Sequence, residues 1–590
     1  MPDESPRFSR ATLCLTVGAA VVASGVLSAA FMARSAFDVD GRTYFSLFDD
    51  AMISMRYARN LAGGYGLVWN PHEAPVEGYS NLLWTLWMAV LHLLPVPEPL
   101  IPLAVMITGA ILLVGNVVVM GAVSRFLTGD RLTMVLTMAL TALYYPLVYW
   151  TLRGMEVGFL TFLISCAVLL ALRIGRQRRP RDVAILGVVF AAAALTRDDA
   201  LVPILVTTLW IGTVLPRADR NRVLFPLVAA IAIPMAAVAI FRQTYYHALV
   251  PNTYHLKVSG VSLWSRLSRG LKALVQLEIA HLLAPTIAAL LVLQSRPKPG
   301  REFTLLSALL VTAALYSVYV GGDAWEWMLY SNRYITPVIP LLLVLASAGV
   351  VSIARCLVGG RSAIVSMVLC AAAVAGTFVR VEQPASSGAR DGLAQAPLPW
   401  GGVAIVGLWL AASYLARRLS PSGRLRGAVL PGLMGLGLLV ALDLAPISRW
   451  LTENGYHISD DASQARTGLA LRSTLAPRAT VAVVAAGTIP YYSRARSIDL
   501  LGKNDPVIAR LPSHLPFFPG HSKWDYAYSL GVLLPDVIQM PWCLTAEQSK
   551  EALATVARLG YLPMVAGLLV RPGSGFDPSR FRQELYRIRR

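Results

Sequence analysis

Residues 100–123 read LIPLAVMITGAILLVGNVVVMGAV, without a single charged side chain. Coiled as an α-helix this stretch is about 36 Å long, more than the roughly 30 Å of hydrocarbon in a bilayer, so it reads as a membrane span. Stretches of the same kind recur on both sides of it, near 11–33, 131–150, 157–174, 182–196, 200–215, 222–246, 271–295, 303–320, 334–355, 363–379, 401–416 and 425–445. Together they predict an all-α polytopic membrane domain of about thirteen helices. Composition agrees: of 590 residues 56% are hydrophobic and only 14% charged, with a mean hydropathy of +0.57, which excludes an ordinary soluble globular protein. The stretch at 11–33 is longer than the apolar core of a signal peptide and many spans follow it, so it is expected to be retained rather than cleaved.

The formal net charge is +19, from 52 basic against 33 acidic residues. The basic residues cluster between spans: Arg173, Arg176, Arg178, Arg179 and Arg181; Arg217, Arg220 and Arg222; Arg296, Lys298 and Arg301; Arg355 and Arg361; Arg417, Arg418, Arg424 and Arg426. That is the distribution of cytoplasmic loops, so the charge is topological and implies no nucleic acid partner. Placing these clusters inside predicts a multi-pass protein of a bacterial cytoplasmic membrane, N-terminus in the cytoplasm and C-terminus outside. Residues 80–94 are apolar but short and end at Pro95. As a span they would invert every later loop, so they are expected to form a re-entrant or interfacial helix. The five cysteines form no recognisable disulfide framework.

After residue 445 the hydropathy falls. Residues 479–486 (ATVAVVAA) read as a buried strand, 545–559 have helical periodicity ending at Gly560, and 564–570 are strand-like again. The chain is therefore expected to divide into a transmembrane domain, 1–445, with a first outer loop at 34–80, and an extracytoplasmic α/β domain, 446–590. No glycine-rich phosphate loop and no internal repeat stands out.

With this orientation the unusual polar sequence collects on the outer face, in 36–80, 150–156, 197–199, 245–259, 321–334 and the C-terminal region. Residues 48–81, FDDAMISMRYARNLAGGYGLVWNPHEAPVEGYSN, are the most informative. Asp49 and Asp50 open a helix-like run that Gly63 and Gly64 end. An Asp there is often only a helix N-cap. Two adjacent carboxylates exceed what a cap needs, and a helix N-terminus keeps a carboxylate ionised, the state a general base requires. Arg56, Glu77 and Asn81 follow in the same loop. Arg153 and Glu156 stand in RGMEVG, Arg197 and Asp199 in TRDDA, Asn252, His255 and Lys257 in PNTYHLK, and Asp323 and Arg333 in GGDAWEWMLYSNR. Any one of these residues taken alone is an interfacial anchor, and Trp325 and Trp327 suit an aromatic belt. As a set they supply cations for a phosphate and carboxylates for a hydroxyl, with Arg197, Lys257 and Arg333 the groups suited to a lipid phosphate.

The order of Asp-Asp in the first loop, ARNLAGGYGLVWN, VEGYSN, RGMEVG, LTRDDA, PNTYHLK, GGD with NRY, and SIDLLGKND resembles the GT-C superfamily of polyprenyl-phosphate-sugar glycosyltransferases. It is similar to the bacterial branch that contains the mycobacterial terminal arabinofuranosyltransferase of cell-wall arabinan. The resemblance runs from about Phe48 to Asp505 and implies a fold of many membrane helices with a lipid-phosphate sugar donor. It assigns the catalytic base to Asp49, with Asp50 supporting. The polar residues of the same motifs, Arg56, Glu77, Asn81, Glu156, Arg197, Asp199, Asn252, His255, Lys257, Asp323 and Arg333, are expected to bind substrate. Val157 and Asp198 depart from the pattern, where relatives tend to carry Ser or Thr and Pro. The expected activity is inverting transfer of a sugar, arabinofuranose on the resemblance, from a polyprenyl phosphate to a cell-envelope glycan or lipid acceptor on the outer face. Two adjacent Asp residues can hold Mg²⁺ or Mn²⁺. Related lipid-phosphate enzymes often do without, so no metal ligand is assigned. A ligase moving a whole lipid-linked glycan is the rival within enzymes. A transporter or flippase is the rival outside them, and it expects ionisable groups near span centres rather than at outer ends. A scaffold leaves the acidic pair unexplained.

Overall fold

The computed structural model describes residues 10–294, 300–326, 332–358 and 458–589. The expected spans at 363–379, 401–416 and 425–445 lie outside them. Helix α1 (Arg10–Ser35) leads into a two-stranded hairpin, β1 (Phe37–Val39) and β2 (Arg42–Tyr44), turned at Asp40 and Gly41 with positive φ angles of 53° and 70°. Helix α2 (Asp49–Ala62) follows, then α3 (Leu82–Leu93), the apolar segment expected at the interface. At about 18 Å α3 is too short to cross a bilayer. One face of it carries the exposed Leu86, Trp87, Val90 and Leu93.

The bundle continues with α4 (Ile101–Thr128), α5 (Arg131–Leu143), α6 (Tyr145–Leu152), α7 (Val157–Gln177), α8 (Pro180–Thr196) and α9 (Leu201–Val214). It is completed by α10 (Arg217–Phe241), the short α11 (Asn252–Lys257), α12 (Leu263–Leu277), α13 (Leu283–Gln294), α14 (Arg301–Val320) and α15 (Ile339–Val358). Among the described residues five helices are long and apolar enough to cross a membrane, or six if α5 and α6, bent by 47°, make one span. The sequence therefore overstates the continuity of several spans. Residues 131–150 break before Pro146, and 271–295 pass through a π-helical turn, Glu278–Leu282. The stretch 200–215 yields only the fourteen residues of α9. Each break sits where proline or a local change of helical pitch interrupts the hydrogen-bond ladder.

Residues 458–589 carry a five-stranded sheet in the order β4-β3-β5-β7-β6. Strands β3 (Thr480–Val483), β4 (Arg496–Asp499) and β5 (Val537–Gln539) are parallel, whereas β6 (Leu562–Pro563) and β7 (Leu568–Val570) join antiparallel. The helix Ala546–Arg558 starts with a capping box between Thr545 and Gln548. The sheet is not a remote appendage. Ile53, Tyr57, Leu67, Trp69 and Tyr79 of the first loop share one buried cluster with Leu471, Val481, Val483 and Phe581, and Trp69 Nε1 donates to the Ala486 carbonyl at 3.2 Å. The N-terminus of α2 lies on this seam.

Candidate active site

Helix α2 begins at Asp49, with Phe48 at the N-cap and no side-chain capping bond. The simple capping reading of the acidic pair is therefore corrected: neither carboxylate caps its own helix. Asp49 reaches across the seam instead, where Oδ1 accepts the Thr488 amide at 2.7 Å and both oxygens accept the Gly487 amide at 3.2 Å. This approach requires glycine, because a Cβ on Gly487 would lie 1.9 Å from the Asp49 carbonyl oxygen. Burial pushes the Asp49 carboxyl up to about 6, outweighing the Thr488 amide and the charge of Lys503 that pull it down.

Asp50 faces the other way. Its Oδ2 accepts Arg333 Nη1 at 2.7 Å and its Oδ1 pairs with Lys503 Nζ. Burial alone would raise this carboxyl, but the Lys503 and Arg333 charges outweigh it and hold Asp50 well below the usual carboxylate range. Two adjacent side chains are thus driven apart, one poised near neutrality and one permanently charged. They share no hydrogen-bond partner, although the charge of Lys503 acts on both, and Asp50 carries two cations. Among the described residues no group of three or more His, Cys, Asp or Glu side chains is placed to hold a metal.

The other polar motifs converge on this point. Arg333 is gripped by Asp323 through Nε and Nη2, both at 2.9 Å, and its guanidinium lies 5.2 Å from the centroid of Trp150. Burial pushes Asp323 up, but Arg333 outweighs it and holds the carboxyl low. Arg197 binds Asp199 through Nε (2.9 Å) and Nη2 (2.6 Å), reaches Glu156 at 3.3 Å, and donates to the Arg333 carbonyl at 3.4 Å. Asn81 supports Glu156 through Nδ2 at 2.9 Å while its Oδ1 accepts from Ser54 and Thr85. Lys257 donates to the Tyr334 hydroxyl at 3.3 Å, and among the described residues it has no carboxylate partner.

Four expected substrate ligands are engaged by the protein itself. Arg56 is 1% exposed and donates to the carbonyls of Trp69 (2.5 Å) and Ala495 (2.9 Å), to Asn70 (2.6 Å) and to Ser497 (3.1 Å), tying the first loop to β4. Glu77 pairs with Arg242 at 2.9 Å, and Arg242 also holds Asp198 at 3.0 Å. Burial raises Glu77 to about 7 against the pull of Arg242. Asn252 donates to the carbonyls of Gly502 (2.8 Å) and Lys503 (3.0 Å), and His255 Nδ1 meets Ser259 Oγ at 3.2 Å.

Sequence reasoning missed Lys503, Arg242 and His521. His521 contacts Trp325 edge-on, ring centroids 5.6 Å apart, and Trp325 in turn meets Phe48 at 5.0 Å. Burial, reinforced by the nearby Lys503, drops the imidazole to about 4, so it is neutral at physiological pH. Its Nδ1 lies 2.9 Å from the Pro519 carbonyl, which places the proton on Nδ1 and leaves Nε2 as an acceptor. The local signal for Lys503 was only its place in SIDLLGKND.

A family profile described as a domain of unknown function, DUF8728, matches residues 452–565. No curated protein matches the chain by sequence. Among solved structures, ArnT from Cupriavidus metallidurans in the apo state superposes with a TM-score of 0.53 at 16% identity, over 97% of this chain and 100% of that one. The same protein bound to undecaprenyl phosphate gives 0.53 at 15% identity over the same shares. Arabinosyltransferase EmbB from Mycobacterium smegmatis covers 77% of this chain and 42% of its own at 14% identity, with a TM-score of 0.41, too low to bear on the sugar. The chain thus has the fold of ArnT over nearly its whole length, in agreement with the resemblance of its motifs to the GT-C superfamily.

Proposed function

We propose that the protein is an inverting glycosyltransferase that uses a polyprenyl-phosphate sugar at the outer face of the cytoplasmic membrane, with arabinofuranose the sugar favoured by its motif resemblance. The acceptor is a cell-envelope glycan or lipid. The observation that carries this reading is the split acidic pair, Asp49 near neutrality and Asp50 bound to cations, at the meeting point of the outer-loop motifs. Asp49 takes the proton of an acceptor hydroxyl, whose oxygen forms the new bond to the anomeric carbon. The bond from that carbon to the phosphate oxygen breaks with its electron pair, so the lipid phosphate departs and the configuration inverts. Cations stabilise the charge that develops on the leaving oxygen. Lys257 is available for this without giving up a carboxylate, whereas Arg197 and Arg333 hold the site's shape. The ArnT structure with undecaprenyl phosphate supports that class of donor.

The test is to incubate purified protein with a panel of polyprenyl-phosphate sugars and an envelope glycan extract and follow donor consumption. Consumption of one donor is expected, and none across the panel would overturn the reading. Two further results are expected. Lys257→Ala should weaken donor binding by about 10- to 100-fold, the worth of one charge-assisted bond, with little change in Tm. Turnover should rise with pH through a midpoint near the Asp49 value of about 6, since only the ionised carboxylate accepts a proton. A profile flat from pH 5 to 8 would remove Asp49 from the proton transfer.

A further inference from the structure

Lys503 reaches the acidic pair from the far side of the seam, out of a turn built to present it. The buried Asp499 at the end of β4 accepts the amides of Leu501 and Gly502 through Oδ1, both at 3.0 Å, and the amide and side chain of Asn504 through Oδ2, at 2.8 and 2.9 Å. Gly502 sits at φ +83°, and Asn252 gathers the carbonyls of Gly502, Lys503 and Asp505 from outside. Tyr57 of α2 donates to Asn504 Oδ1 at 3.0 Å, and Gly78 lies so close to the same oxygen that a Cβ would fall 1.9 Å from it. One buried carboxylate, two asparagines and two glycines are thus committed to a turn whose outward product is a single ammonium group at Asp50.

The two cations on Asp50 are not equivalent. Arg333 is fixed by the two-point grip of Asp323 and by Trp150, and it cannot turn toward a ligand without breaking that grip. Lys503 makes one side-chain ion pair, stays partly open to solvent, and carries a compact charge on a flexible stem. His521 feels the charges of Lys503, Asp50 and Lys257 together, so both lysines act on the same neighbourhood. We propose that Lys503 is a phosphate ligand of the donor site and that Asp50 is its resting counter-ion, exchanged for the phosphate when the donor binds. This inference rests on the proposed use of a lipid phosphate and gives the 452–565 region a direct part in binding it.

The experiment measures binding of undecaprenyl phosphate and of inorganic phosphate to the full-length protein purified in detergent. The variants are Lys503→Gln, Lys503→Arg, Asp50→Asn and the double variant Asp50→Asn with Lys503→Gln, each checked for an unchanged elution profile and Tm. Lys503→Gln is expected to weaken undecaprenyl phosphate binding by about 10- to 100-fold, and Lys503→Arg to restore most of it. Asp50→Asn should tighten binding by releasing the lysine, and that gain should vanish in the double variant. Wild-type affinity in a folded Lys503→Gln would overturn the proposal, as would an equal gain from Asp50→Asn with and without Lys503. Lys503-dependent binding of inorganic phosphate alone would assign the site to a free anion and also overturn it. If the wild type binds no undecaprenyl phosphate at all, the proposed donor fails first, a result distinct from every outcome of the Lys503 series.

Discussion

Asp49→Asn should leave a protein that inserts, folds and binds the donor but turns it over about 10²- to 10⁴-fold more slowly, the range for a lost general base. Asparagine keeps the volume of the side chain, and its amide oxygen can still accept the Thr488 amide that Asp49 accepts at 2.7 Å. What it loses is the capacity to take a proton. Burial helps folding of this variant, because the neutral amide no longer bears the desolvation that raises Asp49 to about 6. Tm is therefore expected to hold or to rise slightly at neutral pH, where the wild-type carboxylate is ionised at a cost. The measurement is donor turnover normalised to folded protein, with donor affinity determined in parallel. If Asp49 only joins α2 to the Thr488–Ser493 helix, Asn should serve nearly as well, and near-wild-type turnover would retire it as the base.

Arg56→Met should show the opposite profile, a large loss of stability with donor affinity spared in whatever protein remains folded. The guanidinium is fully enclosed, and its four acceptors lie on both sides of the seam: Trp69 and Asn70 in the first loop, Ala495 and Ser497 beside β4. Bonds from a charged donor are worth about 1.5–3 kcal/mol each and are not additive, so a net loss of about 3–5 kcal/mol is expected. Some acceptors retain a second partner, since Asn60 also donates to the Trp69 carbonyl and the Ser497 amide also donates to Asn70. That keeps the loss below the sum of the bonds. Thermal unfolding in detergent and protease sensitivity near residue 495 would measure it. A folded, stable Arg56→Met with weakened donor binding would return Arg56 to the set of substrate ligands.

The contrast between these residues shows what a sequence can convey. Periodicity and length disclosed the apolar helices, and the turn-rich, acidic first loop stood out by composition. The strand at 480–483 and the helix at 546–558 were legible from alternation and from a capping pattern, which are local signals. Partnership was not legible. Arg56 and Lys503 are both cations in polar motifs, yet one is locked in the interior and the other meets Asp50 across 453 residues of chain. No local pattern encodes which carboxylate a guanidinium will meet. Nor does the sequence tell Asp49 from Asp50, since their separation arises from burial and from Lys503 and Arg333, all set by tertiary packing. Glu77, Asn252 and His255 were drawn toward the site by the same reasoning, which could not foresee that Glu77 pairs with Arg242, that Asn252 holds the turn of Lys503 or that His255 meets Ser259.

The seam between the first loop and the late sheet also bears on how the protein is made. A chain made from its N-terminus holds Asp49 and Asp50 early, long before Gly487, Thr488 and Lys503 have been synthesised. Until β3, β4 and the turns that follow them arrive, the acidic pair has neither the amides that seat it nor the lysine that balances it. Assembly of the Asp49 and Asp50 site is thereby tied to synthesis of the chain through Lys503, and a chain interrupted earlier lacks these partners.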